Sequence, residues 1–267
     1  VLEWDYGVCK RKLRQVEGRV HGYWVFPDNP GGDVLIRYNQ AGDYRLKLGA
    51  YRQNADEEFI PAAVFASATY PFEVSDSATY NPDANPETTS VDGFVHRSIV
   101  DETWATIIAG AGVTADDSSL NLHGGQIGGS TTSNQFKWLY RTILLFDSSG
   151  LPDNAAISAA VLSIYGDYKE DSLVATPDSN IYASTPASNT ALAAADYGQT
   201  GATAFATAIT YANWSTTGYN DFTLNASGIA AISKAGVSKF SAKNANYDVA
   251  ASAPAWVINE ISALQAY

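Results

Sequence analysis

Apolar side chains alternate on both faces of the segment that precedes Asp147, and this pattern predicts an inner strand. Leu144 and Phe146 point to one face, whereas Ile143 and Leu145 point to the other, because successive side chains of a strand alternate. A strand with one solvent-facing side would carry polar residues at every second position. The segment therefore predicts a strand covered on both sides, as in the interior of a β-sandwich.

Short apolar segments separated by turn-forming residues recur along the chain. Residues 147–154 consist of Asp, Ser, Gly, Leu, Pro and Asn, a composition that ends a strand and favours a turn. Residues 27–33 consist of Pro, Asp, Asn and Gly, and we interpret this segment as a hairpin loop between two strands. The pattern predicts strands at 22–26, 34–38, 43–49, 61–66, 136–146, 160–165, 180–183, 208–211, 221–224 and 237–240. Short helical turns are predicted at 189–197 and 226–233, the second with Asn225 as N-cap. Many short strands of this kind indicate a sandwich or barrel.

Composition shifts along the chain predict two modules and a linker. Residues 1–75 contain more than half of the Lys and Arg residues and form a small N-terminal β-module with an anchoring or assembly role. Residues 76–93 hold Pro82 and Pro86 among many short polar residues, which is the composition of a linker. Residues 94–267 form the second module. We therefore predict an all-β protein in which a jelly-roll-like antiparallel β-sandwich is preceded by a smaller β-module.

The segment that starts at Arg141 carries a family resemblance. Its first strand ends in Phe146-Asp147, and its turn contains Leu151-Pro152. The apolar residues of its second strand are Ile157, Ala160, Leu162 and Tyr165. These features resemble the DNRLRE-type domains, which are jelly-roll-like, carbohydrate-binding-module-like β-sandwiches of phage, secreted and cell-surface proteins. The similarity covers residues 91–256, and it implies a binding or structural module at a virion surface or another extracellular site rather than an enzyme.

The charge of the chain narrows the range of partners. Charged residues make up 16% of the chain, the formal net charge is −12, and the isoelectric point is near 4.5. Such a charge repels phosphate backbones and anionic membranes, so we expect neither nucleic acid nor membrane as a partner. The basic run at residues 10–14 is a local exception, although short charged runs are usually solvated. The single cysteine, Cys9, cannot form an internal disulfide.

Motifs of catalysis are weak, and we expect no enzyme activity and no cofactor beyond an optional structural calcium ion. The three histidines are far apart in sequence and form no metal-binding or catalytic motif. The Gly-rich stretch at residues 124–129 lacks the Lys of a phosphate-binding loop, so we interpret it as a flexible loop. A polysaccharide hydrolase or lyase is the remaining enzymatic alternative. The adjacent pair Asp101-Glu102 does not support it, because neighbours on a strand point to opposite faces.

Acidic side chains in the polar loops leave a calcium site open as an interpretation. Calcium binds several carboxylate and carbonyl oxygens. The candidate ligands are Asp116, Asp117 and Asn121, with a second acidic set at Asp167, Glu170 and Asp171. No spacing matches a calcium loop, and the alternative is that these residues are simply solvated.

Aromatic residues provide the best sequence argument for ligand binding. Sugars pack their C–H faces on exposed aromatic rings, while neighbouring amides and carboxylates bind the hydroxyl groups. Trp138 and Tyr140 lie two residues apart and share one face of a predicted strand. Trp214 and Tyr219 lie in a polar segment with neighbouring Asn and Asp residues. The competing interpretation is that these rings belong to the core, where most Trp residues of a sandwich lie.

The C-terminal segment raises the question of assembly. DNRLRE-like domains usually close with one more strand after the position of Trp256, and here residues 257–267 are compatible with either a strand or a short helix. If the closing strand is absent, one sheet edge stays open for a neighbouring chain. The residues of this edge are Val257, Ile258, Ile261 and Leu264. We therefore predict a non-enzymatic structural or attachment protein of decoration, fibre or tail type in a virion or extracellular surface assembly. Its partners would be further copies of itself, other virion or surface proteins, or glycans. The alternative is a carbohydrate-binding module of a larger adhesin or polysaccharide-active enzyme.

Overall fold

The chain divides into two compact units, which are described here one at a time. The computed structural model describes residues 2–5, 9–16, 19–31, 34–38, 44–48, 57–60, 66, 72–75, 79–119, 121–151, 157 and 159–267. Unit 1 comprises Val1–Thr79 and Gly150–Ala156, and unit 2 comprises Tyr80–Ser149 and Ile157–Tyr267. Among the described residues, no helix is long and apolar enough to cross a bilayer.

Unit 1 contains two small antiparallel sheets. The strands are β1 (Leu2–Asp5), β2 (Lys10–Val16), β3 (Arg19–Phe26), β4 (Val34–Tyr38), β5 (Tyr44–Leu48), β6 (Glu57–Ile60) and β7 (Phe72–Ser75). The first sheet has the order β1-β2-β3-β7, and the second has the order β5-β4-β6. The predicted strands at 22–26, 34–38 and 43–49 are therefore confirmed. The strand predicted at 61–66 lies, apart from Ala66, outside the described residues.

The predicted hairpin across residues 27–33 is wrong. The strands on either side of it, β3 and β4, belong to different sheets and pair with other strands. Pro27 and Pro30 lack the backbone N–H that a ladder requires, and Gly31 adopts a φ of 78° that turns the chain. The segment therefore carries the chain from one sheet to the next instead of joining two paired strands.

Unit 2 is built around one extended antiparallel sheet. Its strands are β8 (Asp92–Glu102), β9 (Thr114–Asp116), β10 (Leu122–His123), β11 (Ile127–Gly129), β12 (Phe136–Asp147), β13 (Val161–Asp171), β14 (Ser179–Ala183), β15 (Gly218–Thr223), β16 (Val237–Asn244) and β17 (Ile261–Ala266). Its helical elements are α1 (Trp104–Ala109), α2 (Ala226–Ala230), two 3₁₀ helices (Ala194–Gly198 and Tyr211–Asn213) and a π-helical turn (Ala245–Val249). The strand order is β14-β16-β12-β11-β17-β13-β15, with β8 on β12, β9 on β8 and β10 on β17.

The sheet folds back on itself and encloses its main core. Leu144 of β12 lies in the same buried cluster as Ile164 of β13 and Leu264 of β17, although these strands are apart in the hydrogen-bonded order. Ile143 and Leu145 point the other way, into a second cluster that α1 and the first 3₁₀ helix cover. The prediction that this strand is buried on both faces is therefore confirmed, as is the all-β sandwich class.

Two local predictions in unit 2 have different outcomes. Asn225 is confirmed as an N-cap, since its side-chain oxygen accepts hydrogen bonds from the amides of Ser227 and Gly228. The strand predicted at 208–211 is wrong. Ile209 forms only an isolated bridge to Ser179, because the chain turns directly into a 3₁₀ helix at Tyr211.

Candidate functional site

Three tyrosines form an exposed aromatic surface on the outer face of unit 2, which we call the tyrosine platform (Tyr165, Tyr219 and Tyr267). Tyr165 of β13 lies directly opposite Tyr219 of β15, and their ring centroids are 5.2 Å apart at an interplanar angle of 90°. The ring of Tyr267 lies 6.0 Å from that of Tyr165. Tyr219 and Tyr267 are 68% and 67% exposed. Contiguous exposed aromatic surface is a feature of interaction sites, so this cluster is a candidate binding surface.

Strand alternation explains why these rings point outward. Leu162 and Ile164 of β13 are buried in the main core, so Tyr165 points to the opposite side. The backbone N–H of Tyr267 donates to the carbonyl of Tyr165 at 3.0 Å, which fixes the third ring beside the first two. The platform therefore rests on the ladder of β13 and not on a free loop.

Polar groups border the platform on the same face. Ser163 of β13 donates a hydrogen bond of 2.7 Å to Oδ1 of Asp221 on β15. Asp221 and Ser163 are cross-strand partners, one pair along from the buried pair of Ile164 and Asn220. A hydroxyl and an exposed carboxylate therefore lie beside the rings of the platform.

The sequence prediction placed Trp214 beside Tyr219 in a sugar site, and for Trp214 it is wrong. Trp214 is only 2% exposed and belongs to the main core. The ammonium of Lys169 donates hydrogen bonds to the carbonyls of Trp214 and Tyr211, at 3.1 and 3.0 Å. These bonds hold the segment that contains Trp214 against β13. Gly166 leaves space for the indole, since a Cβ there would lie 2.8 Å from Trp214 Nε1.

Trp138 and Tyr140 do not form an open surface. The ring of Tyr140 stacks on His96 at 4.4 Å and lies 4.6 Å from His123. Trp138 is half-buried, with the ammonium of Lys137 at 4.3 Å from its ring centroid. A Cβ on Gly128 would lie 2.0 Å from Trp138 Nε1. The predicted flexible loop at 124–129 is therefore wrong, because this glycine stretch is buried and packed against side chains.

The same cluster joins two histidines that are far apart in sequence. Phe94, His96, His123 and Tyr140 form one packed group of rings. Burial, with a smaller contribution from His96, lowers the pKa of His123 to about 4. Burial also lowers the pKa of His96. Both histidines are therefore neutral at pH 7. His96 lies on β8, opposite Tyr140 of β12, whereas His123 lies on β10, which pairs with β17. The fold of the sheet brings these strands together, so the spacing of the sequence could not show it.

The candidate calcium ligands serve the loops instead. Oδ1 of Asp116 accepts hydrogen bonds from the amides of Ser118 and Ser119, and Oδ2 of Asp117 accepts one from the amide of Leu192. The amide of Asn121 donates to the hydroxyl of Ser119. In the part of the chain that the structure describes, no three His, Cys, Asp or Glu side chains are grouped so as to hold a metal. This geometry gives the predicted calcium site no support.

The second acidic set has similar structural contacts. Oδ1 of Asp171 accepts from the amides of Ala175 and Thr176, each at 2.8 Å, and Glu170 accepts from the hydroxyl of Ser172. Asp167 is exposed on β13. These carboxylates therefore stabilise the end of β13 rather than converge on one point.

The predicted open edge at the C-terminal segment is wrong. Ile261 and Leu264 lie in β17, which pairs with β13 on one side and with β10 and β11 on the other. Leu264 is fully buried, Val257 packs against the second core cluster, and Ile258 is exposed in the turn before the strand. The segment thus supplies the closing strand, and it is interior.

A buried ion pair lies on the side of β12 that faces the second core. Nε and Nη2 of Arg141 donate to the two carboxylate oxygens of Asp248 at 2.8 and 2.6 Å. The same guanidinium donates to the carbonyls of Tyr197 and Ile108, at 2.6 and 3.0 Å. All three nitrogens of Arg141 are therefore bonded.

Comparison with known protein families, with curated proteins and with solved structures finds no match to this chain.

Proposed function

We propose that this chain is a non-enzymatic attachment protein of a virion or another extracellular surface assembly, and that unit 2 binds carbohydrate on the tyrosine platform. The observation that carries the proposal is the set of three neighbouring rings on the outer face of β13 and β15, two of them more than half exposed. An exposed aromatic patch with a polar border favours an amphipathic ligand.

The ladder under the platform supports the proposal. The antiparallel pairing of Tyr165 with Tyr219 holds their backbones at a fixed spacing, so little conformational entropy is lost when a ligand binds. The exposed carboxylate of Asp221 is placed to accept hydrogen bonds from sugar hydroxyls beside the rings. A preformed surface of this kind favours weak binding to each repeat of a polysaccharide. An assembly with many copies of the surface would raise the overall avidity for such a polymer.

Affinity electrophoresis of the full chain through gels that contain single neutral polysaccharides tests this proposal. We expect at least one β-glucan, xylan, mannan or galactan to retard the protein. The double variant Tyr219→Ala with Tyr267→Ala should lose the retardation. Tyr168→Ala is the matched control, because Tyr168 is exposed on β13 and is not in ring contact with the platform among the described residues. Migration unaffected by every polysaccharide, or retardation that the double variant retains, would overturn the proposal.

A second candidate function, self-assembly, is favoured by the edge strand β15. The edge of β14 is covered, because Ser179 and Ile209 exchange backbone hydrogen bonds and Phe205 donates to Ile181. β15 pairs with β13, and no further backbone partner is found for it within the described residues. A six-residue strand with one free edge can accept a strand from a second copy.

Light scattering of the full chain over a concentration series tests the second candidate. We expect a molar mass above that of the 28.5 kDa monomer at high concentration. Thr223→Lys, which places a charge on the edge strand, should restore the monomer mass. Val161→Lys is the matched control, since its exposed side chain lies on the neighbouring interior strand β13. A monomer at every concentration would overturn self-assembly and leave the proposed sugar binding unaffected.

A further inference from the structure

A cavity of about 380 Å³ opens to solvent on the side of unit 2 that carries the buried ion pair. Its lining includes the small residues Gly198, Gly201 and Ala202. It also includes the charged residues Arg141, Lys243 and Asp248. The volume lies within the range of small-molecule sites, about 300–1,000 Å³.

The register of the sheet places two cations side by side in this cavity. β12 and β16 are antiparallel and pair Thr142 with Ala242, so the next residues along, Arg141 and Lys243, lie opposite each other on one face. Like charges at opposed positions destabilise a sheet unless an anion lies nearby. Asp248 supplies one negative charge. Both of its carboxylate oxygens accept hydrogen bonds from Arg141, so this carboxylate forms its ion pair with Arg141.

Lys243 is the cation that the protein leaves without a hydrogen-bonding anion. The residue is 4% exposed, and no hydrogen bond from its ammonium group to any described residue is found. Its closest described partner is the ring of Tyr182, whose centroid lies 5.2 Å from Nζ. Burial lowers the pKa of Lys243 to about 8, so the group is still mostly protonated at pH 7. A buried ammonium group of this kind is costly unless an anion approaches it.

A second polar group in the cavity wall also lacks a partner. The hydroxyl oxygen of Thr200 is buried and makes no hydrogen bond within the described residues. Buried hydroxyl groups are normally paired, so this orphan is an unsatisfied polar group beside the cavity. Because almost none of its surface is accessible, the hydroxyl does not face the open space, and among the described residues Lys243 is the group without an ion-pair partner that lines the cavity.

We propose that this cavity is a binding site for a small organic monocarboxylate, held by the ammonium of Lys243. The charge count favours one negative charge on the ligand. Arg141 and Lys243 carry two positive charges and Asp248 one negative charge, so a monocarboxylate neutralises the site. A phosphate dianion would leave excess negative charge beside Asp248. The guanidinium is unavailable as the main contact, because its three nitrogens already donate to Asp248, Tyr197 and Ile108. This inference is independent of the tyrosine platform, which lies on other strands.

Isothermal titration calorimetry on the full chain at pH 7 tests the site with four probes: sodium glucuronate, sodium acetate, glucose and inorganic phosphate. We expect glucuronate to bind with a Kd of about 1 mM or tighter. Acetate binding of similar strength would identify the carboxylate alone as the recognised group, whereas glucuronate bound more tightly than acetate would identify a sugar acid. Both results support the proposal. Glucose should not bind at this site.

One variant and one control complete the experiment. Lys243→Met should weaken carboxylate binding at least tenfold. Lys239→Met is the matched control on the same strand, because the ammonium of Lys239 donates to the carbonyl of Pro186 and does not line the cavity. Circular dichroism would show whether each variant folds. No binding of either carboxylate up to about 10 mM, tighter binding of phosphate than of carboxylate, or unchanged binding in folded Lys243→Met would overturn the proposal. Failure of the protein to bind neutral polysaccharides would overturn the proposed role of the tyrosine platform and would not affect this carboxylate-site proposal.

Discussion

Arg141 and Asp248 are 107 residues apart in sequence and form a buried, bidentate ion pair. The pair connects β12 to the π-helical turn at Ala245–Val249, and the remaining donors of Arg141 bind the carbonyls of Tyr197 and Ile108. One side chain therefore joins four segments of unit 2: β12, the π-helical turn, the first 3₁₀ helix and α1. Buried ion pairs of this type fix an arrangement even where they add little net stability.

Breaking this pair from one side is expected to be costly. Asp248→Asn leaves the guanidinium of Arg141 buried without its counter-charge, and we expect a loss of about 3–5 kcal/mol of unfolding free energy. The loss is measured by urea denaturation. Arg97→Gln is the matched control, because the Arg97–Glu102 pair is partly exposed and should contribute about 1 kcal/mol or less. Equal losses in the two variants would contradict the structural role of the buried pair.

Removing both charges should restore part of the loss. In Arg141→Met combined with Asp248→Leu, no charge stays buried alone, and apolar groups occupy similar volumes. The restoration should be incomplete, because the carbonyls of Tyr197 and Ile108 lose their donor. A double-mutant cycle measures the coupling, and purely additive losses would show that the two side chains do not act as a pair.

Acid should destabilise unit 2 through His123. Burial lowers the pKa of the folded form to about 4 from the ordinary value of 6.5, so between these pH values only the unfolded chain binds the proton. Stability is therefore full above about pH 6.5 and falls as the pH decreases towards 4. We expect the loss to be of the order of 2 kcal/mol, after a discount for partial exposure.

Denaturation curves between pH 4 and pH 8 test this contribution. His123→Gln should flatten the pH dependence, whatever its effect on stability at pH 8. Tyr140→Phe is the matched control, because it alters the same ring cluster and removes no group that titrates in this range. A pH dependence that is unchanged in His123→Gln would show that the histidine is not held neutral in the folded state.

The close contact at Gly166 predicts a steric effect. A Cβ at this position would lie 2.0 Å from the carbonyl oxygen of Ser215, so Gly166→Ala must displace the loop that holds Trp214. We expect a loss of about 1–3 kcal/mol, measured by thermal or urea denaturation. Gly236→Ala is the control, since the nearest atom to its added Cβ lies at 3.7 Å. A neutral Gly166→Ala would contradict the packing described for Trp214.

The sequence predicted those features that depend on local pattern. The alternation around Leu144 correctly predicted a strand buried on both faces, and Asn225 was correctly predicted as a helix cap. Strict alternation and capping are properties of a few neighbouring residues, so they are visible without the fold.

The features that the sequence did not predict depend on contacts between distant segments. Trp214 lies in a polar stretch, and its burial depends on Lys169, which lies 45 residues away. Tyr219 is a predicted site residue, but its neighbour Tyr165 comes from a strand whose pairing with β15 the sequence does not specify. Tyr267 follows the end of β17 and reaches Tyr165 only because β17 pairs with β13. The opposition of Arg141 and Lys243 likewise follows from the register of β12 and β16.

Carboxylate binding in the proposed cavity should depend on pH through Lys243. The charged groups that face Lys243 are Arg141 from β12 and Asp248 from the π-helical turn, and Tyr182 faces it from β14. The guanidinium stays protonated at every accessible pH, and burial raises the pKa of Tyr182 to about 12. Burial also raises the pKa of Tyr197, which packs on Arg141. Between pH 7 and 10, Lys243 is therefore the group in this set that loses its charge.

Glucuronate titrations at several pH values test this dependence. Below pH 8 the affinity should be nearly constant, and above it the affinity should fall about tenfold for each pH unit, because the neutral amine no longer attracts the carboxylate. Lys243→Arg keeps its charge over the whole range, so this variant should bind equally at pH 7 and pH 9.5. An affinity of the unaltered protein that does not change between these two values would show that the ammonium of Lys243 is not the group that binds the carboxylate.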